Sequence, residues 1–234
     1  MCYNVVVNRK EGVPMNKSVY SLVLSDDVVE AVDRAAHRAG MSRSAYINSV
    51  LADAVSFTTP EKRMSDIFAG IEQLVNGDVF RIMPRPSETA LALRSALHYK
   101  YNPVINYSIE LYRDFDTTFG KLKVSLRTQS KSLIAAFEDF LLMLADTERA
   151  CISEHITGSV SYTFENGRFV RAFSRPADED NASDSEIAEA LYGYVRLFDE
   201  LVKIYFGNMT DRTAAKKLIG QRYTAYLRTA RLII

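Results

Sequence analysis

Hydrophobic and polar positions change period several times along this chain, and each change marks an element. Residues 18–24, Ser-Val-Tyr-Ser-Leu-Val-Leu, read as one short alternating strand. Tyr20, Leu22 and Leu24 fall on one face, and Val19, Ser21 and Val23 on the other. Ser25 before Asp26 and Asp27 has the composition of a helix N-cap with an acidic first turn. Val28, Val29, Val32, Ala35, Ala36 and Ala39 then recur at helical spacing, and Gly40 supplies a stop. His37 and Arg38, at the end of that helix, suit the negative end of its dipole. Ser42 opens a second helix with Ala45, Ile47, Val50, Leu51 and Ala54 as its apolar stripe.

A lone strand cannot satisfy its own edge N–H and C=O groups. The next thirty or so residues read as helix and offer no second strand. The simplest partner is the same strand from a second copy, paired about a two-fold axis. A strand and two short helices, about forty residues, are too few to hold a core alone, so an intertwined dimer is expected. A two-stranded ribbon also fits the major groove of DNA.

The segment KSVYSLVLSDDVVEAVDRAAHRAGMSRSAYINSVLADAV, residues 17–55, resembles a ribbon-helix-helix domain of the type found in the Arc and plasmid copy-control repressors. The resemblance implies that Val19, Ser21 and Val23 face base edges, with Lys17 at the strand entrance. It also implies a phosphate clamp at Ser42, Arg43 and Ser44, a role with an independent basis in the anion affinity of a helix N-terminus. One departure stands out. The base-facing positions of such domains usually carry donors and acceptors, whereas two of the three here are Val. Valine can touch a thymine methyl but lacks the bidentate contacts worth roughly 1–3 kcal/mol each. Specificity then comes from DNA shape and oligomerisation, or the ribbon serves mainly to dimerise. Residues 1–16 form an arm whose Arg9 and Lys10 either reach phosphates or belong to an unstructured tail. Met15 offers a second natural start for the domain.

Residues 57–63 break the helical pattern and read as a linker to a larger domain over 64–234. There the patterning predicts a short helix over 67–75, a strand over 79–83 stopped by Pro84 and Pro86, and a helix from Ser87 to His98. Alternation at Ile105, Tyr107, Ile109 and Leu111, and again at Leu122, Val124 and Leu126, predicts two strands. Ser130 or Ser132 caps a long helix to about Arg149. Residues 160–173 read as a hairpin around Asn166-Gly167, the preferred pair for a tight turn. An acidic loop over 176–185 and two helices, about 185–206 and 210–232, complete the chain. The expected fold is α+β: an N-terminal ribbon-helix-helix followed by a domain with a mainly antiparallel sheet and several helices.

Composition narrows the functional classes. With 29 basic and 29 acidic residues the formal charge is zero, so any affinity for nucleic acid must come from a local patch. Two cysteines, Cys2 and Cys151, give no disulfide framework and suit a reducing cytoplasm. The N-terminus lacks the basic start and apolar run of a signal peptide, and no stretch is apolar enough to span a bilayer. Gly120-Lys121 lacks the upstream glycine of a phosphate loop, and there is no Gly-x-Ser-x-Gly elbow, so no enzyme motif of these kinds is present.

Three further groups invite a function. The last helix carries Arg212, Lys216, Lys217 and Arg222, with Arg228 and Arg231 beyond them, against the single acid Asp211. It is either a second nucleic-acid surface or a solvated face turned toward the loop at Asp178, Glu179 and Asp180. Tyr99, Tyr101, Tyr107 and Tyr112 cluster near one strand and suit either a small-molecule pocket or a half-buried sheet face or interface. Cys151, Glu154 and His155 have a spacing that a metal could use, but His37 and His98 lie far away, so neither a metal nor a cofactor is expected. The expectation is a homodimer, or a tetramer, that binds double-stranded DNA as a prokaryotic transcriptional regulator. Its larger domain would oligomerise or take an effector, a protein or an RNA. Two alternatives remain: an accessory DNA-binding factor for plasmid transfer, copy control or partition, and a ribbon-dimerised modulator of another nucleic-acid enzyme.

Overall fold

Two acidic residues after Ser25 open α1 (Asp26–Arg38), and Gly40 closes it as the periodicity requires. In this computed structural model, which describes residues 21–75, 79–100, 102–113, 117–152, 160–165, 168–174 and 182–234, the chain divides into two units, residues 1–59 and 60–234. Gly40 takes φ +64°, and its N–H reaches the His37 carbonyl at 3.1 Å while that of Met41 reaches Ala36 at 2.9 Å. Those two bonds satisfy the last carbonyls of the helix. Ser42 caps α2 (Arg43–Ala54), its Oγ accepting from the Ala45 N–H at 3.2 Å. The end of α2 repeats the same motif with Ser56 at φ 55° and bonds from Ser56 to Asp53 and from Phe57 to Ala52.

The second unit is a mixed α+β fold. Its described elements are α3 (Pro60–Leu74), β1 (Arg81–Ser87), β2 (Ala90–Ala96), β3 (Val104–Leu111), β4 (Thr118–Arg127), α4 (Lys131–Cys151), β5 (Tyr162–Glu165), β6 (Arg168–Ser174), α5 (Asp184–Gly207) and α6 (Arg212–Thr229). The strands form one sheet in the order β1-β2-β3-β4-β6-β5, and every pairing is antiparallel. Alternation sets which residues are buried: in β3, Ile105, Tyr107, Ile109 and Leu111 point into the core, with half-buried residues between them. The four helices and the inward sheet face share one continuous apolar core. Long α5 runs through its centre; Phe198 meets Tyr107, Phe140 and Phe169 at ring-centroid distances of 6.0, 5.5 and 5.6 Å. Ser183 and Glu186 start α5 with a reciprocal capping box.

Three local expectations need correction. Residues 60–63 are the first turn of α3 and not linker; Pro60 sits at the first helical position, where its missing N–H costs nothing. Strand β1 does not stop at Pro84 but continues through Pro86 to Ser87. It is an edge strand with an irregular register between Met83 and Ser87, the setting in which a sheet tolerates proline. Residues 87–98 form no helix: Ala90–Ala96 is β2, paired along its length with β3. The Ala and Leu content favours helix, but Leu91, Leu93, Ser95 and Leu97 alternate, and burial on a central strand decides.

The predicted strands β3 and β4, the long helix after Ser130, the hairpin strands β5 and β6, and the last two helices are all present. Strand residues 18–20, the hairpin turn at Asn166-Gly167 and the acidic residues Asp178, Glu179 and Asp180 lie outside the described residues.

Candidate nucleic-acid interface

The N-terminal unit is built from short helices whose apolar stripes find little to cover them. Ala36 and Ala52 are buried, but Leu22, Leu24, Val28, Val50, Leu51, Val55 and Phe57 are exposed. Ser21–Leu24 carry no helix or strand, and no main-chain hydrogen bond joins them to another described residue. Ser21 and Val23 are both exposed, Val23 completely; Lys17 and Val19 lie outside the described residues. At the start of α2, Ser42, Arg43 and Ser44 are exposed together. The Arg43 guanidinium is turned back on α1, with Nε and Nη2 each 2.5 Å from the Asp33 carboxylate. That hydrogen bond holds the Asp33 carboxyl below its usual range. The sequence reading missed this pair, although an acid on α1 ten residues before an Arg on α2 was visible in it.

The three described tyrosines do not converge. Tyr107 is buried and donates to Asp199 at 2.9 Å, Tyr99 packs edge-on against Phe206 at 5.3 Å, and Tyr112 is exposed beside Lys121 at 5.5 Å. Tyr101 lies outside the described residues. The three described tyrosines thus have separate partners.

The basic helix is partly neutralised by its own unit. Arg212 pairs with Asp139 at 2.7 Å, Arg222 with Glu200 at 2.6 Å and Arg231 with Glu186 at 2.6 Å. Lys216, Lys217 and Arg228 are exposed and make no ion pair among the described residues. Tyr223 and Tyr226 bury the opposite side.

Two buried polar clusters escaped the sequence reading. In one, Glu148 accepts from Arg171 Nε at 3.1 Å, from Tyr223 Oη at 3.1 Å and from Tyr162 Oη, while Arg171 Nη2 donates to the Ile234 main-chain oxygen at 2.6 Å. Burial and the neighbouring Glu148 charge push the Tyr162 and Tyr223 hydroxyls well up, so both remain donors. In the other, Asp199 accepts from Ser95, Tyr107 and Lys203, the last at 2.6 Å. The signal was an interruption of alternation: Arg171 between Phe169 and Phe173, and Ser95 between Leu93 and Leu97. Each cluster closes on itself within the core, which marks a structural part. Among the described residues no group of His, Cys, Asp and Glu is arranged to hold a metal; Cys151 ends α4, and Glu154 and His155 lie outside them. No helix among the described residues is long and apolar enough to cross a membrane.

A two-helix N-terminal unit and a larger α+β unit with an open antiparallel sheet thus define the class of architecture. No protein-family model, no curated protein and no solved structure matches this chain.

Proposed function

We infer that the chain is a homodimeric DNA-binding protein in which residues 18–24 pair as strands with those of a second copy and the resulting ribbon lies in the major groove. The observation that carries this reading is the unfinished state of the N-terminal unit. Nine large apolar side chains of this unit stand exposed, three of them (Leu22, Val23 and Leu24) on a segment whose main-chain groups have no described partner. Burying such groups against an identical copy stabilises both the apolar faces and the extended segment at once. The clamp at Ser42, Arg43 and Ser44 then lies at a helix N-terminus, where N–H groups and the dipole attract a phosphate. On DNA, Arg43 exchanges Asp33 for the backbone. Regulation of transcription is the activity that best suits such a dimer with a folded second unit.

Selection of bound duplexes from a random DNA pool, combined with analytical ultracentrifugation, tests this. The expected result is a dimer that enriches a two-fold symmetric site and loses affinity steeply with salt. A monomer, or a dimer that enriches no DNA at any salt concentration, overturns it.

A second reading, the ribbon as a dimerisation clasp alone, draws on Val19 and Val23 and on the engagement of Arg43 by Asp33. The double variant Arg43→Ala, Ser44→Ala separates the two: DNA affinity falls at least tenfold under the first and is unchanged under the second.

A further inference from the structure

The sheet has two faces, and the helices cover one. Strand register places Arg81, Arg94, Asn106, Ser125 and Arg168 in one row across the other face, from β1 to β6. The next row is Met83, Ala92, Ser108, Lys123 and Val170. Central strand β4 contributes most, with Lys121, Lys123, Ser125 and Arg127 at successive outward positions. At two residues per step these stand about 7 Å apart and span about 20 Å.

The face is strongly cationic in a chain of zero formal charge. Arg81, Arg94, Lys121, Lys123, Arg127 and Arg168 occupy it, against Glu110; Glu165 is the register partner of Arg168 on edge strand β5. Polar contacts of the outward side chains stay within the sheet among the described residues. Arg94 Nε donates to Asn106 at 3.1 Å, and Lys121 and Lys123 flank Glu110 at 3.2 and 2.6 Å. Arg81, Lys123, Arg127 and Arg168 are exposed.

We propose that this open sheet face binds the phosphate backbone of a duplex nucleic acid. Three features choose that occupant. A second copy laid on the face would set like charges against each other, which disfavours self-association. A protein partner needs apolar or aromatic anchors at the centre of the interface, and the centre here is Ala92, Ser108 and Ser125. A single strand needs aromatic rings on which its bases stack, and the one ring placed beside the cations among the described residues is Tyr112, at the rim against Lys121. Small side chains surrounded by long cations suit a ligand that presents charge outside and hides its bases, which is a duplex. The sheet face does not depend on the N-terminal helix pair binding DNA.

The test uses the full chain and fluorescent 30-base-pair duplexes of random sequence, one DNA and one RNA, together with single-stranded DNA of the same length. Arg81→Ser, Lys123→Ser, Arg127→Ser and Arg168→Ser are combined, and a Lys-for-Arg version (Arg81→Lys, Arg127→Lys, Arg168→Lys) keeps the charge. The expected result is that wild type and the charge-keeping variant bind at least one duplex more tightly than the single strand. The serine variant loses at least tenfold in low salt, and its log–log salt slope becomes shallower by about 0.9 for each phosphate contact removed. The two duplex arms show whether the backbone is DNA or RNA. Acetylation of Lys123 in wild type, slowed by added duplex, gives a readout free of any folding defect in the variants. Unchanged affinity and slope in the serine variant, unchanged Lys123 labelling, or tighter binding to the single strand overturns the proposal.

Discussion

Arg171 Nε lies 3.1 Å from Glu148 Oε2, and neither side chain has any solvent exposure. The guanidinium also stacks 4.2 Å from the centroid of Tyr194 and donates to the Ile234 main chain, so α4, β6, α5 and the last residues of the chain meet at one charge pair. A buried pair offsets its own desolvation only when every remaining donor and acceptor is used. Removing one partner is therefore worse than removing both. Glu148→Ala is expected to destabilise the second unit by about 3–5 kcal/mol, because it leaves an unpaired buried cation. The double replacement Glu148→Leu, Arg171→Met should recover a large part of that loss. Urea denaturation of the two variants checks it; a double variant less stable than the single would refute the account.

Much of the second unit was legible because burial on a sheet writes a period of two into the sequence. Ile105 to Leu111 and Leu122 to Leu126 were read as strands on that basis alone, and both are. Residues 87–98 read as helix because Ala and Leu favour it, whereas Leu91, Leu93 and Leu97 alternate toward a core supplied by distant segments. The proline pair in β1 misled for a related reason: an edge strand needs only half its N–H groups. The polar clusters were hidden because Glu148 and Arg171 are 23 residues apart, and nothing local announces that they meet. The outward cations of the sheet were invisible for want of the register that aligns them. At the N-terminal unit, both helices and the Gly40 stop were legible. The engagement of Arg43 by Asp33 was not, since it depends on how α2 folds back on α1.

Asp199 holds Ser95 and Tyr107 of the sheet to α5 and takes Lys203 as its counter-charge. Tyr107→Phe removes one donor from a carboxylate that keeps two others, at an expected cost of about 1.5–3 kcal/mol. Asp199→Ala strands the Tyr107 and Ser95 hydroxyls in the core and should cost more. Thermal unfolding of both variants gives the order, and equal losses would show that Asp199 is not the organiser.

Arg212 binds the Asp139 carboxylate through two nitrogens, at 3.0 and 2.7 Å, and Tyr205 adds a third donor at 2.7 Å. The Arg212 hydrogen bond, more than the opposing burial, holds the Asp139 carboxyl below its ordinary 3.8. A lowered carboxyl contributes stability that is fully present above its unfolded value and is lost as pH falls through its folded one. The relevant window therefore opens near pH 4 and extends downward. The pair is substantially solvated, so its contribution is small. Stability measured from pH 6 to pH 2 should fall less steeply below pH 4 in Arg212→Ala than in wild type, and parallel curves would exclude the linkage.

The two helices of the N-terminal unit end in the same hydrogen-bonded motif with different residues at the left-handed position. Gly40 takes φ +64° freely, whereas Ser56 takes φ 55° with a Cβ that crowds its own backbone. Nothing lies within 4 Å of a Cβ built on Gly40, so the difference between the sites is conformational and not steric packing. Ser56→Gly should stabilise the unit by up to about 1 kcal/mol, and Gly40→Ala should destabilise it by about 1–2 kcal/mol. The gain at Ser56 is reduced by the greater freedom of glycine in the unfolded chain. Chemical denaturation of the full protein, followed by circular dichroism of its first transition, measures both. A Ser56→Gly variant that is no more stable, beside a Gly40→Ala variant that is no less stable, would remove the left-handed caps from the account of how these helices end.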